Sequence, residues 1–274
     1  MKNPILKRGS RCYGDVERLQ LALIDCGYAV DLDAQFGPGV EKAVCALQES
    51  EGLPADGVVD GPTWDVLATK SPHACPLELD TTGLHNFRGN LHWLHQWEGH
   101  AGRPYWPGGV SGVTLDPGLD LGHADPELVE RVCGTSLDAD AMACLHKVLG
   151  LKGDAAREAL DAEPALGNIR ILRNTAARFL PIVAKPYWDH LCRRFDALAS
   201  PSVPASVQTA LLSLGYNRGP GNRGLEPLAE PLSRGDWLGV ADVIGAMQQD
   251  HQLEGIRRRR QAEAALIRDA VVSI

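Results

Sequence analysis

Hydrophobic residues before position 70 recur at the three- and four-residue spacing of amphipathic helices. They form three stripes: Val16, Leu19, Leu23 and Ile24; then Val40, Val44 and Leu47; then Trp64 and Leu67. Gly27 follows the first stripe as a stop signal, and Asp60-Gly61-Pro62 precedes the third. Aspartate before a proline favours a helix start. The pattern therefore predicts three short helices around a small core.

The next segment, Lys70–Gly83, has two prolines, small polar residues and no helical period, which predicts a linker. From Leu84 onward the helical spacing returns and continues almost to the end of the chain. The exception is Gly99–Gly122, whose glycines and prolines predict an irregular or hairpin lobe. Two domains and a linker follow: residues 1–69, 85–274 and 70–84.

Composition agrees with two domains, since 274 residues exceed one typical domain of about 150. The net charge of -8 argues against nucleic-acid binding, because a phosphate backbone attracts a positive field. The chain carries no apolar run long enough to span a membrane, and its first residues lack the apolar core of a secretory signal. Seven cysteines without a CxxC pair predict reduced, mostly buried thiols.

Acidic residues lie at the edges of the glycine-rich lobe. Glu98 follows an aromatic segment and precedes the lobe, while Asp116 and Asp120 lie near its end with Thr114. Cleavage of a glycosidic bond by inversion needs a proton donor and a group that orders water on the opposite face of the sugar. An apolar setting beside Trp97 would favour the protonated form that a donor requires. Spacing alone favours carboxylates on the surface over a catalytic pair.

The first half resembles the peptidoglycan-binding domain of cell-wall hydrolases. The segments VERLQLALIDCGY and FGPGVEKAVCALQESEGLPADGVVDGPTWDVL carry that likeness over residues 14–69. Asp60 stands where glycine is usual, and Pro38-Gly39-Val40 replaces the customary threonine helix start. A wall-binding site would need exposed polar and aromatic groups near the turns, for which Gln35, Asp56 and Trp64 are candidates, although the helical stripe favours a core position for Trp64. A three-helix module for another partner is the alternative.

The second half resembles phage-type lysozymes, and among them the pesticin-like muramidases, over residues 87–267. The motifs are WEG, YWPGG, SGVTLDPGLDLGH, TALLSLGYNRG and GIRRRRQAEAALI, in the order of the family. The resemblance implies that Glu98 is the general acid and that Thr114 and Asp120 hold the attacking water. Asp116-Pro117 departs from the family pattern, so Asp116 is a candidate to replace or assist Asp120.

Aromatic rings stack on sugars and amides bind N-acetyl groups, so Tyr105, Trp106, Tyr216 and Asn217 are candidate substrate contacts. The resemblance as a whole implies a mainly α protein, with a three-helix wall-binding domain linked to an α+β lysozyme-like domain that has a small irregular or β lobe. It implies an endolysin that cleaves the β-1,4 bond between N-acetylmuramic acid and N-acetylglucosamine by inversion.

The partner expected for such an enzyme is bacterial peptidoglycan. No cofactor or metal is expected, nor is nucleic-acid binding or stable membrane association, and the chain is expected to be a monomer. Without a signal peptide, it would be made in the host cytoplasm and reach the wall after another protein opens the membrane. A toxin delivered by a secretion apparatus fits the same pattern.

Two other functions fit parts of the sequence. His92, His95 and Glu98 suggest a zinc amidase or peptidase, although zinc ligands on a helix favour a four-residue spacing that these residues lack. A wall-binding protein with an inactive second domain is the other alternative. The run Arg257–Arg260 is a minor candidate for a contact with an anionic polymer. In such runs, however, some side chains more often face solvent and the others form ion pairs.

Overall fold

A computed structural model describes residues 3–134 and 137–272, and the chain divides into two compact units. The first unit comprises the described residues up to Glu78 together with Arg170–Ala176. The second comprises the described residues of Leu79–Ile169 and of the chain from Ala177 onward. The division at Glu78 falls inside the segment predicted as a linker. The sequence pattern predicts Arg170–Ala176 as part of the second domain, whereas this segment belongs to the first unit.

The first unit consists of three helices around one core. They are α1 (Tyr13–Asp25), α2 (Pro38–Ser50) and α3 (Gly61–Lys70), followed by a 3-10 turn at Pro72–Ala74. Most residues of the predicted stripes face inward, and Val16, Leu19, Val44 and Leu47 are buried, but the prediction for Ile24 is wrong, because its side chain is exposed at the end of α1. Gly27 adopts a positive φ of 86° just beyond α1, which explains why glycine stands there. The three predicted helices are thus confirmed.

The segment Arg170–Ala176 joins the first unit through a buried carboxylate. Glu17, 4% exposed, accepts hydrogen bonds from the backbone N–H groups of Arg173 and Asn174 at 2.9 and 3.0 Å. Free N–H groups at a helix start need acceptors, and an anion is favoured there. The sequence carries no local signal for this contact, because its partners are 156 and 157 residues apart.

The second unit is helical apart from one small sheet. Its helices are α4 (Leu91–His95), α5 (Pro126–Cys133), α6 (Ala139–His146), α7 (Gly153–Ala162), α8 (Pro164–Asn168), α9 (Arg173–Arg194), which begins in the first unit, α10 (Ala205–Arg218), α11 (Ala229–Arg234), α12 (Trp237–Ala246) and α13 (Glu254–Val272). Short 3-10 turns occupy Asp196–Ala199 and Arg223–Leu228. Strands β1 (Thr114–Leu115) and β2 (Leu119–Asp120) form an antiparallel pair. The predicted mainly α fold with a small β lobe is confirmed.

Helix α10 lies at the centre of this unit. All residues from Val207 to Gly215 are buried, as expected of a helix surrounded by others. Gly215 allows a close approach of α9, since a Cβ there would lie 2.8 Å from a methyl group of Leu191. Helix α13 packs on both α10 and α12. This packing brings the polar residues of α13 next to α10.

Two further expectations bear on the chain as a whole. Across the described residues, none of the helices is both long enough and apolar enough to span a bilayer. The seven cysteines are all free, but the expectation that most are buried is wrong: only Cys133 is buried, and Cys75 is exposed. The other five are half-buried.

Candidate active site

The glycine-rich lobe places the motif residues on a short hairpin. Thr114 and Asp120 are direct partners in the antiparallel register, and the loop Asp116-Pro117-Gly118 joins β1 to β2. On the other side, Thr114 exchanges two backbone hydrogen bonds with Tyr105, at 2.7 and 3.1 Å. Thr114 therefore lies between Tyr105 and Asp120, so the hairpin gathers three predicted site residues.

The carboxylate of Asp120 holds the base of the hairpin together. Its Oδ1 accepts hydrogen bonds from the backbone N–H groups of Gly112 and Gly122, at 2.9 and 2.8 Å. A Cβ on Gly112 would lie 2.3 Å from the backbone of Gly122, so only glycine permits this approach. Oδ2 lies 3.1 Å from Nδ1 of His123. Thr114 is buried and donates from Oγ1 to the carbonyl of Gly112 at 3.2 Å.

A cleft of about 380 Å³ opens beside the hairpin. Four side chains capable of polar contacts line it, and they are Glu98, His100, Tyr105 and Asp116. The side chain of Asp116 is only 4% exposed, and its Oδ2 accepts a hydrogen bond from the backbone N–H of Gly102 at 2.8 Å. Thr114 and Asp120 are not among the residues that line this cleft. Of the candidate carboxylates, Asp116 is the one that shares the cleft with Glu98.

Glu98 is held by an arginine from the far end of the chain. Its Oε1 accepts a hydrogen bond from Nη2 of Arg259 at 2.8 Å, and its side chain is 18% exposed. The prediction of an apolar setting is therefore wrong, because the carboxyl group contacts a guanidinium. An ion pair with a buried, fork-shaped donor fixes the orientation of a carboxyl group.

Arg259 is itself held by buried polar groups of α10 and α13. Its Nε donates to Ser213 Oγ at 3.1 Å, and Ser213 Oγ donates to Glu263 Oε1 at 2.6 Å. The same oxygen accepts from Arg260 Nη2 at 2.7 Å. Burial raises the pKa of Glu263, and burial lowers the pKa of Arg260 to about 10. The network connects the core of the second unit to Glu98.

The arginine run is thus divided. Arg259 and Arg260 are buried in ion pairs, while Arg258 is exposed. Sequence reasoning did not propose Arg259 as a site residue. The available signal was the spacing of two arginines three and four residues before Glu263, which places all three on one face of a helix.

The four predicted substrate contacts have different surroundings. Tyr105 lines the cleft, and its pKa is raised by burial and by the nearby carboxylates of Asp116 and Glu98. Tyr216 donates from its hydroxyl to the carbonyl of Pro117 at 2.8 Å, and burial raises its pKa. Trp106 donates from Nε1 to the carbonyl of Ser111 at 3.0 Å. Asn217 is exposed near the end of α10.

Trp106 and Tyr216 therefore have their polar atoms engaged within the lobe. Tyr216 braces the hairpin loop, and its ring lies 4.7 Å from that of Tyr187, centroid to centroid. Tyr105 is the one of the four that lines the cleft with Glu98.

The three predicted wall contacts all lie in the first unit. Trp64 is fully buried, with Nε1 donating to the carbonyl of Pro4 at 2.8 Å and the guanidinium of Arg18 4.1 Å from its ring. The prediction that Trp64 contacts the wall is therefore wrong, because its ring belongs to the core. Gln35 and Asp56 are exposed. They stay candidates for wall contacts.

The zinc alternative requires a ligand set that the described residues do not supply. Within 3–134 and 137–272, no group of three histidine, cysteine, aspartate or glutamate side chains is placed to hold a metal ion. His95 is buried against the core in the short helix α4. A catalytic zinc site needs three protein ligands around one point.

One comparison with known proteins concerns the first unit alone. Residues 13–67 match the sequence model of the family described as "Putative peptidoglycan binding domain". The predicted peptidoglycan-binding domain near the N-terminus is thereby confirmed. No curated protein sequence matches the chain.

Among solved structures, the crystal structure of the Burkholderia AP3 phage endolysin is similar at 18% sequence identity. The alignment covers 97% of this chain and 99% of that chain, with a TM-score of 0.23. At that TM-score the two whole chains do not superpose, so the likeness assigns neither an activity nor a site residue.

Proposed function

We propose that this protein is an endolysin whose second unit is an inverting N-acetylmuramidase. The observation that carries the proposal is the position of Glu98, fixed by Arg259 at a cleft that a motif-bearing hairpin completes. The matched peptidoglycan-binding domain supports a cell-wall substrate. The bond to be hydrolysed is the β-1,4 linkage between N-acetylmuramic acid and N-acetylglucosamine.

In the proposed reaction Glu98 protonates the leaving glycosidic oxygen. Thr114 and Asp120 order and activate the water that attacks the opposite face of the sugar. Oδ1 of Asp120 accepts from two backbone N–H groups, so we assign this role to Oδ2, which also lies 3.1 Å from Nδ1 of His123. An inverting enzyme separates its two carboxyl groups by about 6.5–9.5 Å to admit the water. The reaction requires no metal and no organic cofactor.

The first unit contributes affinity. A wall-binding module that shares a chain with the enzyme raises the effective concentration of substrate near the cleft. The exposed turn residues Gln35 and Asp56 are proposed contacts for this binding. The protein acts as a monomer at the peptidoglycan layer, after synthesis in the host cytoplasm and opening of the membrane by another protein.

The central experiment is Glu98→Gln, which keeps the shape of the side chain and removes its acid. General acid catalysis contributes roughly 10²–10⁴-fold, so the release of reducing ends from purified peptidoglycan should fall by about that factor. Sedimentation with insoluble wall should be unchanged, and Glu226→Gln, on an exposed turn, serves as the matched control. Wild-type turnover by Glu98→Gln would show that the assignment is wrong.

The products distinguish the alternatives. New reducing ends at muramic acid support the proposal, whereas new amino groups would indicate an amidase or peptidase. Anhydro-muramic ends would indicate a lytic transglycosylase instead. Turnover that EDTA abolishes would support the zinc enzyme. Wall binding without any product would identify a binding protein.

A further inference from the structure

His100 and Asp116 share the cleft with Glu98 and have no part in the proposed reaction. Asp116 is buried, and its Oδ2 lies 3.1 Å from Nδ1 of His100 as well as accepting from the N–H of Gly102. A carboxylate so little exposed to water needs partners that compensate its charge. His100 therefore serves as a partner of the Asp116 carboxylate, and both side chains form part of the wall of the cleft.

The surroundings of the imidazole are different at its two nitrogens. Nδ1 is buried and faces Asp116, while Nε2 is not enclosed and makes no hydrogen bond to any described residue. The side chain of His100 is 14% exposed, and it lines the cleft. The exposed part of the ring is therefore available to a molecule bound beside Glu98.

The carboxylate determines which nitrogen carries the proton. Two acceptors cannot face each other favourably, so Nδ1 beside Asp116 carries hydrogen and Nε2 of the neutral ring is an acceptor. The Nδ1 contact lies at hydrogen-bonding distance but is not aligned as a hydrogen bond. Contacts of this kind in unliganded clefts often tighten when substrate binds.

We propose that His100 Nε2 accepts a hydrogen bond from an amide N–H of the substrate and that Asp116 is the positioning residue that orients its ring. Peptidoglycan offers such N–H groups on its N-acetyl substituents and in its stem peptides. The assignment rests on the proposed function of the same cleft. The assignment gives the two aspartates different roles. Asp116 affects substrate binding through His100, whereas Asp120 acts on the attacking water.

The test measures kcat and KM on soluble glycan strands, both intact and after enzymatic removal of their stem peptides. A neutral hydrogen bond contributes enough to change binding roughly three- to tenfold, so His100→Leu should raise KM by that factor with a smaller change in kcat. An increase on both substrates identifies the N-acetyl group as the donor, and an increase on intact strands alone identifies the stem peptide. His100→Gln, whose amide oxygen can accept the same bond, should recover most of the loss.

Asp116 is tested in the same assay. Asp116→Leu removes the acceptor and should raise KM as His100→Leu does, whereas Asp116→Asn keeps an acceptor and should stay near wild type. If Asp116 orders the water instead, Asp116→Asn will lower kcat as strongly as Asp120→Asn, which would overturn the positioning role. His146→Leu is the control, because His146 pairs with Glu130 at 2.9 Å beside a different cavity.

Two results would overturn the inference on His100. One is an unchanged KM for His100→Leu and His100→Gln on both substrates, and the other is a loss confined to kcat. If His100→Leu fails to fold, His100→Gln is compared with His100→Asn instead. The side chain of His100→Asn does not extend as far as Nε2, so this variant should show the raised KM that His100→Gln avoids. Failure of the proposed function is recognised separately, since Glu98→Gln would then keep its turnover.

Discussion

The two units bury polar groups in different ways. In the first unit, beside the buried ions Glu17 and Arg18, neutral amides hold two loops: Gln20 accepts from the N–H of Ala34 at 2.8 Å, and Gln48 accepts from the N–H of Gly57 at 3.0 Å. Gln48 also donates to the carbonyl of Val58 at 2.9 Å. Each amide satisfies backbone groups that would otherwise be buried without partners.

The second unit buries a connected network of charged groups, beside neutral groups such as Gln208 and Thr209. Arg259, Arg260 and Glu263 lie within the core, and the network that they form ends at Glu98. Burying charges costs more free energy than burying amides, and an ion pair often does not recover the cost. The difference teaches that the second unit buries a connected set of charges where a carboxyl group is held in place, whereas the buried amides of the first unit shape its turns.

The largest expected effect is at the centre of the charged network. Glu263→Ala leaves two buried arginines without their shared carboxylate, and breaking a buried pair in this way costs about 3–5 kcal/mol of unfolding free energy. Chemical denaturation measures the loss. Glu230→Ala, whose side chain is 76% exposed on α11, is the control and should change little. A loss as small as that of the control would mean that the network does not stabilise the second unit.

The next effect concerns the amides of the first unit. Gln48→Ala removes the acceptor of a buried N–H, at a cost of about 1–3 kcal/mol. Hydrogen exchange at the Gly57 amide should accelerate by the corresponding factor, roughly five- to 150-fold. Glu49→Ala, on the exposed face of α2, should leave that exchange unchanged. If hydrogen exchange at the Gly57 amide is as slow in Gln48→Ala as in the wild type, Gln48 does not hold this loop. The contrast between loop-holding amides in the first unit and buried charges in the second would then fail.

Helix caps should behave alike in both units. Asp60 accepts from the N–H of Thr63 at the start of α3, and Asp236 accepts from the N–H of Gly239 at the start of α12. Each Asp→Ala substitution should cost about 1 kcal/mol, and each Asp→Asn much less, because asparagine keeps the cap. Thermal unfolding compares the four variants. Unequal costs for Asp60→Ala and Asp236→Ala would show that context outweighs the cap.

The last comparison concerns thiol reactivity and leaves stability untouched. Burial raises the pKa of Cys133 in the second unit to about 12, while Cys75 in the first unit is exposed. Only the thiolate reacts, and a raised pKa leaves less thiolate at pH 8. Alkylation of the native protein followed by peptide mass analysis should find Cys75 modified first and Cys133 last. Early modification of Cys133 would contradict its burial.

Much of the fold was predictable because its signals are local. The hydrophobic stripes predicted three short helices, which are α1, α2 and α3, and the glycines and prolines of Gly99–Gly122 predicted the small lobe. Such patterns reflect contacts between neighbours on one helix or one hairpin, so they can be recognised without the tertiary structure. Trp64 illustrates this, since its place in the third stripe favoured the core over a wall contact, and its side chain is fully buried.

The surroundings of the candidate site were not predictable in the same way. Arg259 contacts Glu98 across 161 positions, and no periodicity relates two residues that far apart. Asp116 lines the cleft and Asp120 does not, although both stand on the same short hairpin. The direction of each carboxylate depends on backbone N–H groups from Gly102, Gly112 and Gly122, whose positions the spacing of the acids does not reveal.

By itself, the sequence determined that this protein is mainly helical, that a peptidoglycan-binding domain lies near its start, and which acidic residues surround the lobe. Only the tertiary structure decided which of those acids face one cleft, that Glu98 is paired with Arg259, and that His100 lies against Asp116. The physical reason is the distance along the chain over which each effect acts. Helix periodicity and turn chemistry act over a few residues. The orientation of a side chain in a site depends instead on the distant segments that core packing brings beside it.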